Sequence, residues 1–102
     1  MTDKELLEKA AKAMGYKYMS GALWDGRDVI EYEWHPQDDD GQALRLAVKL
    51  NIVIWEYSQY DRAMAEVRYG DARGEYWEIG DDPYAATRRA IVRAAAAIGE
   101  QL

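Results

Sequence analysis

The segment Ile52-Val53-Ile54-Trp55-Glu56-Tyr57 constrains the fold more than any other part of the chain. Strand alternation sends Ile52 and Ile54 to one face and Val53, Trp55 and Tyr57 to the other. Both faces are then apolar, and a strand of that kind needs cover on both sides. It is expected to form the centre of a sheet with helices on either side.

The following segment behaves differently. In Arg62–Tyr69, Ala63, Ala65, Val67 and Tyr69 alternate with Met64, Glu66 and Arg68, giving one apolar and one mostly polar face. Gly70-Asp71-Ala72-Arg73-Gly74 reads as a hairpin loop, and Glu75-Tyr76-Trp77-Glu78-Ile79 as the returning strand, with Trp77 and Ile79 on one side. Three strands joined by short turns make an antiparallel meander.

Three helices complete the pattern. Thr2-x-x-Glu5 has the form of a capping box. Leu6, Leu7, Ala10, Ala11 and Met14 follow at helical spacing until Gly15, which predicts a helix over residues 3–14. Asp38-Asp39-Asp40-Gly41 opens a second helix, since aspartates accept from its free N–H groups and oppose its dipole. Its expected buried stripe is Ala43, Leu44, Ala47 and Val48, widened by Leu46 and Leu50, with Asn51 as a left-handed cap. Asp82 and Pro83 begin a third helix as N-cap and first helical residue. Tyr84, Thr87, Ile91, Ala94, Ala95 and Ile98 make its inward stripe, widened by Val92, and Gly99 is expected to end its regular part. Residues 16–39 leave two readings open: an edge strand at Val29–Glu33, or an ordered loop pinned by Tyr16, Tyr18, Trp24, Tyr32 and Trp34.

The expected fold is therefore α/β (α+β). It is a three-layer α-β-α sandwich with a small, mainly antiparallel sheet and three helices, in a single domain over residues 1–102. That length suits one domain able to bury its own core. With 49% hydrophobic and 31% charged residues, the composition is that of an ordinary globular chain.

Several chemistries find no support. The chain has no cysteine, which removes thiolate nucleophiles, disulfides and cysteine-ligated zinc, and fits a reducing compartment. Ser20 and Ser58 lie in no nucleophile elbow, and neither G-x-G-x-x-G nor G-x-x-x-x-G-K occurs. His35 with Asp38, Asp39 and Asp40 is the one grouping of metal-ligand types. The EF-hand pattern fails on it: with Gly41 at the glycine position, the first and last ligand positions fall on Pro36 and Ala47. A capped helix start explains the aspartates better, so no catalytic, cofactor-binding or metal-ligating residue is assigned. The start Met1-Thr2-Asp3-Lys4-Glu5 lacks the basic and apolar regions of a signal peptide, and no stretch reaches the length of a membrane span.

Two stretches carry a resemblance. These are Asp40-Gly41-Gln42-Ala43-Leu44-Arg45-Leu46-Ala47-Val48-Lys49-Leu50, preceded by Trp34-x-Pro36, and Asp82-Pro83-Tyr84-Ala85-Ala86-Thr87-Arg88-Arg89-Ala90-Ile91-Val92-Arg93-Ala94-Ala95. Together they resemble a family of small bacteriophage and prophage proteins described as a phage α-β-α sandwich domain. The resemblance covers roughly residues 34–98. It implies a layered sandwich and a phage or prophage origin, hence a bacterial host cytoplasm, and it implies no activity.

What remains is surface. The chain has 8 Tyr and 4 Trp but no Phe, and Tyr and Trp favour half-wet boundaries and interfaces. Tyr57, Tyr69, Tyr76 and Trp77 on the meander are candidate contact residues for a protein partner, of phage or host, or for self-association. Their alternative is simple replacement of Phe at sheet–helix boundaries. Arg88, Arg89 and Arg93, with Arg45 and Lys49, are a candidate basic patch, against the alternative of a flank paired with Asp and Glu. A net charge of −6 weighs against nucleic acid as the partner. The expected function is non-catalytic protein–protein interaction. A nucleic-acid-associated role through the arginine flank comes second, and an enzyme of unrecognised type third.

Overall fold

Helix α1 (Asp3–Ala13) starts where its capping box predicts. The Thr2 hydroxyl accepts from the Glu5 N–H at 3.2 Å, and the Glu5 carboxylate reaches back to Thr2. The computed structural model describes residues 1–57, 61–68 and 73–102, with the side chain of Tyr57 excepted. After α1 come β1 (Lys17–Met19), β2 (Ala22–Asp25), β3 (Asp28–Glu31), α2 (Asp40–Leu50), β4 (Val53–Tyr57), β5 (Arg62–Val67), β6 (Gly74–Ile79) and α3 (Pro83–Glu100). Among the described residues the chain is a mixed α+β sandwich of three helices and two small antiparallel three-stranded sheets. No helix among the described residues is long and apolar enough to cross a membrane.

The undecided region proves to be both a sheet and a pinned loop. β1, β2 and β3 form their own meander, turned between β1 and β2 by Ser20 and Gly21, both at positive φ (54° and 77°). That pair of left-handed residues is what a twist-matched two-residue hairpin requires. The strand expected at Val29–Glu33 is seen at Asp28–Glu31, where it pairs with β2 at the edge of this sheet, as an edge strand should. Beyond it Trp34 is buried, with its N–H on the Gly21 carbonyl at 2.9 Å and its ring 5.9 Å from that of Tyr18.

The second sheet runs β4-β5-β6, so its central strand is β5 and not the segment Ile52–Tyr57. The two-sided cover expected for Ile52–Tyr57 is absent. Ile54 packs against the core, but Trp55 on the opposite face is 42% exposed. The alanines of β5 decide the matter. Ala63 and Ala65 are fully buried, and their small side chains let α3 lie closely on the middle of the sheet, a fit that larger side chains on β4 would not allow.

Both later helices begin where expected. Asp39 caps α2 through the Gln42 N–H, Asn51 closes it at φ 55°, and Asp82 caps α3 with Pro83 in the first turn. Their buried faces differ from expectation. In α2 the buried residues are Gln42, Ala43, Leu46 and Ala47, while Leu44 and Val48 are 58% and 68% exposed. The stripe is rotated by part of a turn because Gln42 faces inward to bind backbone: its amide donates to the Glu33 carbonyl (2.7 Å) and accepts from the His35 N–H (2.6 Å). In α3, Tyr84 is exposed rather than inward.

Gly99 does not end α3, which continues to Glu100. It is buried inside the helix, and a Cβ there would stand 1.9 Å from the Lys9 carbonyl oxygen. α1 and α3 thus meet backbone to backbone, with Ala10, Ala11 and Ala96 buried along these helices and the Lys9–Glu100 ion pair (2.6 Å) at the rim. Gly99→Ala is expected to cost about 3 kcal/mol, the upper range for overpacking, because backbone cannot rotate away. A lowered urea midpoint at unchanged slope would register it.

The cap of α1 carries a pH signature. The Thr2 hydroxyl, and then the Thr2 backbone N–H, hold the Glu5 carboxyl below the usual carboxylate range. A lowered pKa stabilises the fold fully above the ordinary value, and that contribution is lost as pH falls through the lowered one. Thr2→Ala is expected to move the Glu5 midpoint up toward the ordinary value, read by NMR titration of its side-chain carboxyl.

Candidate functional site

The arginines do not form a free basic patch; each holds α3 to another element. Arg88, only 17% exposed, donates to the Asp40 carboxylate at 2.6 Å and the Gln37 carbonyl at 2.9 Å. Arg89 and Arg93 share the two oxygens of Glu78 on β6, at 3.0 and 2.5 Å. Their guanidiniums also donate to the carbonyls of Ile79 (3.1 Å) and Trp77 (2.6 Å). Arg45 pairs with Glu31 at 3.0 Å, and Lys49 lies 5.0 Å from the Tyr16 ring centroid. The charge is spent locally, as exposed helical arginines usually spend it.

The acidic grouping at the start of α2 is likewise used by the fold. Asp39 accepts from the Gln42 N–H at 2.9 Å, and Asp40 takes Arg88. Among the described residues, no three His, Cys, Asp or Glu side chains are arranged to hold a metal ion.

The tyrosines and tryptophans separate by face. Tyr76 sits directly opposite Ala65 and packs against the core on the α3 side. Trp77, one residue on, points the other way and is 38% exposed. Tyr57 belongs to β4, but its side chain, like the whole of Tyr69, lies outside the described residues. The expected cluster of Tyr57, Tyr69, Tyr76 and Trp77 is therefore not one surface: Tyr76 and Trp77 occupy opposite sides of the sheet.

Register assembles a different surface. Trp55, Met64 and Trp77 stand directly opposite one another on β4, β5 and β6, on the face turned away from α3. Each indole N–H is satisfied by a nearby carboxylate: Trp55 donates to Glu66 at 3.0 Å and Trp77 to Glu75 at 3.2 Å. Arg62 lies 5.9 Å from the Trp77 ring centroid, within cation–π range. Ile79 extends the face and is 76% exposed. With their polar handles satisfied within the sheet, the indoles present mainly apolar ring surface outward. Met64 between them is buried, a flexible side chain that fills the gap between the two indoles. Trp55 and Ile79 were missed as surface residues because strand alternation shows which residues share a face but not which face is covered.

The same register defines two unlike sheet edges. Gly80 N–H bonds to the Asp61 carbonyl at 2.8 Å, so the alternation of antiparallel bonding turns the backbone groups of Trp77 and Ile79 outward. Those carbonyls are the ones taken by Arg93 and Arg89, so the β6 edge is guarded. On β4 the same alternation turns Ile54 and Glu56 outward. Among the described residues, neither a strand nor a side chain pairs those groups.

Glu78→Gln is expected to destabilise the fold by about 1–2 kcal/mol, since it removes charge-assisted bonds to two half-exposed guanidiniums. The loss should exceed that of Arg89→Lys or Arg93→Lys alone when compared by chemical denaturation. No protein-family model, curated protein or solved structure matches this chain, so its surface and its sequence carry the functional argument.

Proposed function

We propose that this chain is a small phage- or prophage-encoded accessory protein, working in the bacterial host cytoplasm as a non-catalytic protein-interaction module. The carrying observation is the sheet face on which Trp55 and Trp77 flank the buried Met64, two part-exposed indoles turned away from α3 with their N–H groups already satisfied. Large aromatic side chains of this kind are the usual anchors of interfaces. The net charge of −6 favours a partner with an apolar patch bordered by basic residues, although on this face Glu66 is already paired with Arg68 at 3.4 Å. The phage origin rests on the Asp40–Leu50 and Asp82–Ala95 segments. The pairing of Arg88, Arg89 and Arg93 with carboxylates weighs against the nucleic-acid alternative.

The test compares the wild type with Trp55→Ala/Trp77→Ala as bait in host lysate, followed by an affinity measurement on each captured protein. The double variant is expected to bind a specific protein partner at least tenfold more weakly, about 1.4 kcal/mol or more, with far-UV circular dichroism unchanged. Equal capture by both baits, or a catch removed by nuclease, would overturn the reading.

A further inference from the structure

We infer that two copies of this chain pair through the outer edge of β4, antiparallel about a two-fold axis at Trp55, to give a continuous six-stranded sheet. The proposal rests on the reading of the chain as an interaction module, but it uses the strand edge rather than the sheet face.

Three observations converge on this edge. The N–H and C=O groups of Ile54 and Glu56 point outward with no partner among the described residues, whereas the outward carbonyls of β6 carry guanidiniums. An unpaired edge is a template for another strand. The next outward N–H along β4, that of Ile52, is already taken by the Ala47 carbonyl at 2.9 Å, which limits an added strand to the Ile54–Glu56 stretch. Finally, the exposed apolar residues of α2, Leu44 and Val48, line a groove with Ile52, Val53 and Ile54 beside that edge. They account for none of the core, and an added strand on β4 would bring a neighbour against them.

The sequence of β4 selects a second copy as the neighbour. Pairing about Trp55 sets Ile54 opposite Glu56 of the other copy, twice, in hydrogen-bonded pairs that supply four main-chain bonds. Val53 meets Tyr57, and the acidic residue of the edge, Glu56, avoids its own copy. A register displaced to centre on Glu56 would set like charges opposite each other, which is unfavourable. Trp55 meets Trp55 in a non-hydrogen-bonded pair, where side chains approach most closely and aromatic pairs contribute most. The row Trp77-Met64-Trp55 then runs on into its symmetry mate. Because each copy carries −6, screening salt should tighten the pairing.

Sedimentation of the full chain over a wide concentration range, with amide hydrogen exchange, tests this. The expected result is a concentration-dependent doubling of mass, favoured by salt. Protection should grow at the amides of Ile54 and Glu56 and not at those of Trp77 and Ile79. Ile54→Pro removes an outward N–H without touching the β4–β5 ladder, and is expected to weaken the dimer at least tenfold. Should that variant misfold, Leu44→Lys places a charge at an exposed position beside the same edge and is expected to weaken the dimer as well. Trp77→Ala, which tests the sheet face, should leave the dimer within twofold of wild type, so failure of one reading does not mimic failure of the other. A single monomer mass throughout, a dimer protected at Trp77 and Ile79 instead, or a dimer indifferent to both edge variants would overturn the inference.

Discussion

The contact between Gly99 and the Lys9 carbonyl sets the spacing on which the rest of the molecule depends. Only a residue without a Cβ lets α3 approach the α1 backbone that closely. With that distance set, α3 can touch α1 along one side, the β4–β6 sheet along another, and α2 along a third. Its buried residues are mostly alanine, so each neighbour is held by close backbone approach rather than by large interdigitating side chains. Such an arrangement leaves little room for adjustment, which is why a single methyl group at Gly99 carries a high cost.

The charged residues of α3 follow from the same geometry. A helix packed through alanines has little side-chain reach to hold its orientation. The arginines on its flank supply it: Arg88 fastens the start of α2, and Arg89 and Arg93 grip β6 through Glu78 and two carbonyls. What looks in sequence like a basic patch is a set of braces. Gln42 does the same for the strap that carries Trp34, replacing missing strand partners with one side-chain amide bonded to two backbone groups.

Local signals were legible and long-range ones were not. The caps at Thr2, Asp39, Asn51 and Asp82 are short-range hydrogen bonds between residues near in sequence, and all four stand where the residues announce them. The meander of β4, β5 and β6 was equally plain, as was the face shared by Trp77 and Ile79. The identity of the central strand was not, because apolar content suggested Ile52–Tyr57 while the small size of Ala63 and Ala65 decided for β5. The β1–β3 sheet escaped because its strands are three or four residues long, too short to display a period. Of the surface, Trp77 was legible, but its grouping with Tyr76 failed: adjacent strand residues face opposite ways. Trp55 was read as core since its exposure depends on where α3 lies, a fact carried by Gly99 and not by β4.

The guarded edge of β6 has a consequence for how any assembly of this protein grows. A sheet with two open edges can add strands at both ends and extend without limit into a filament. Here Arg89 and Arg93 occupy the outward carbonyls of one edge, and their bulk and charge oppose a new strand. Growth through this sheet would be confined to β4, and the inferred two-fold contact would consume that edge in both participants. A dimer formed in this way would be closed at two, its finite stoichiometry set by the same side chains that brace α3.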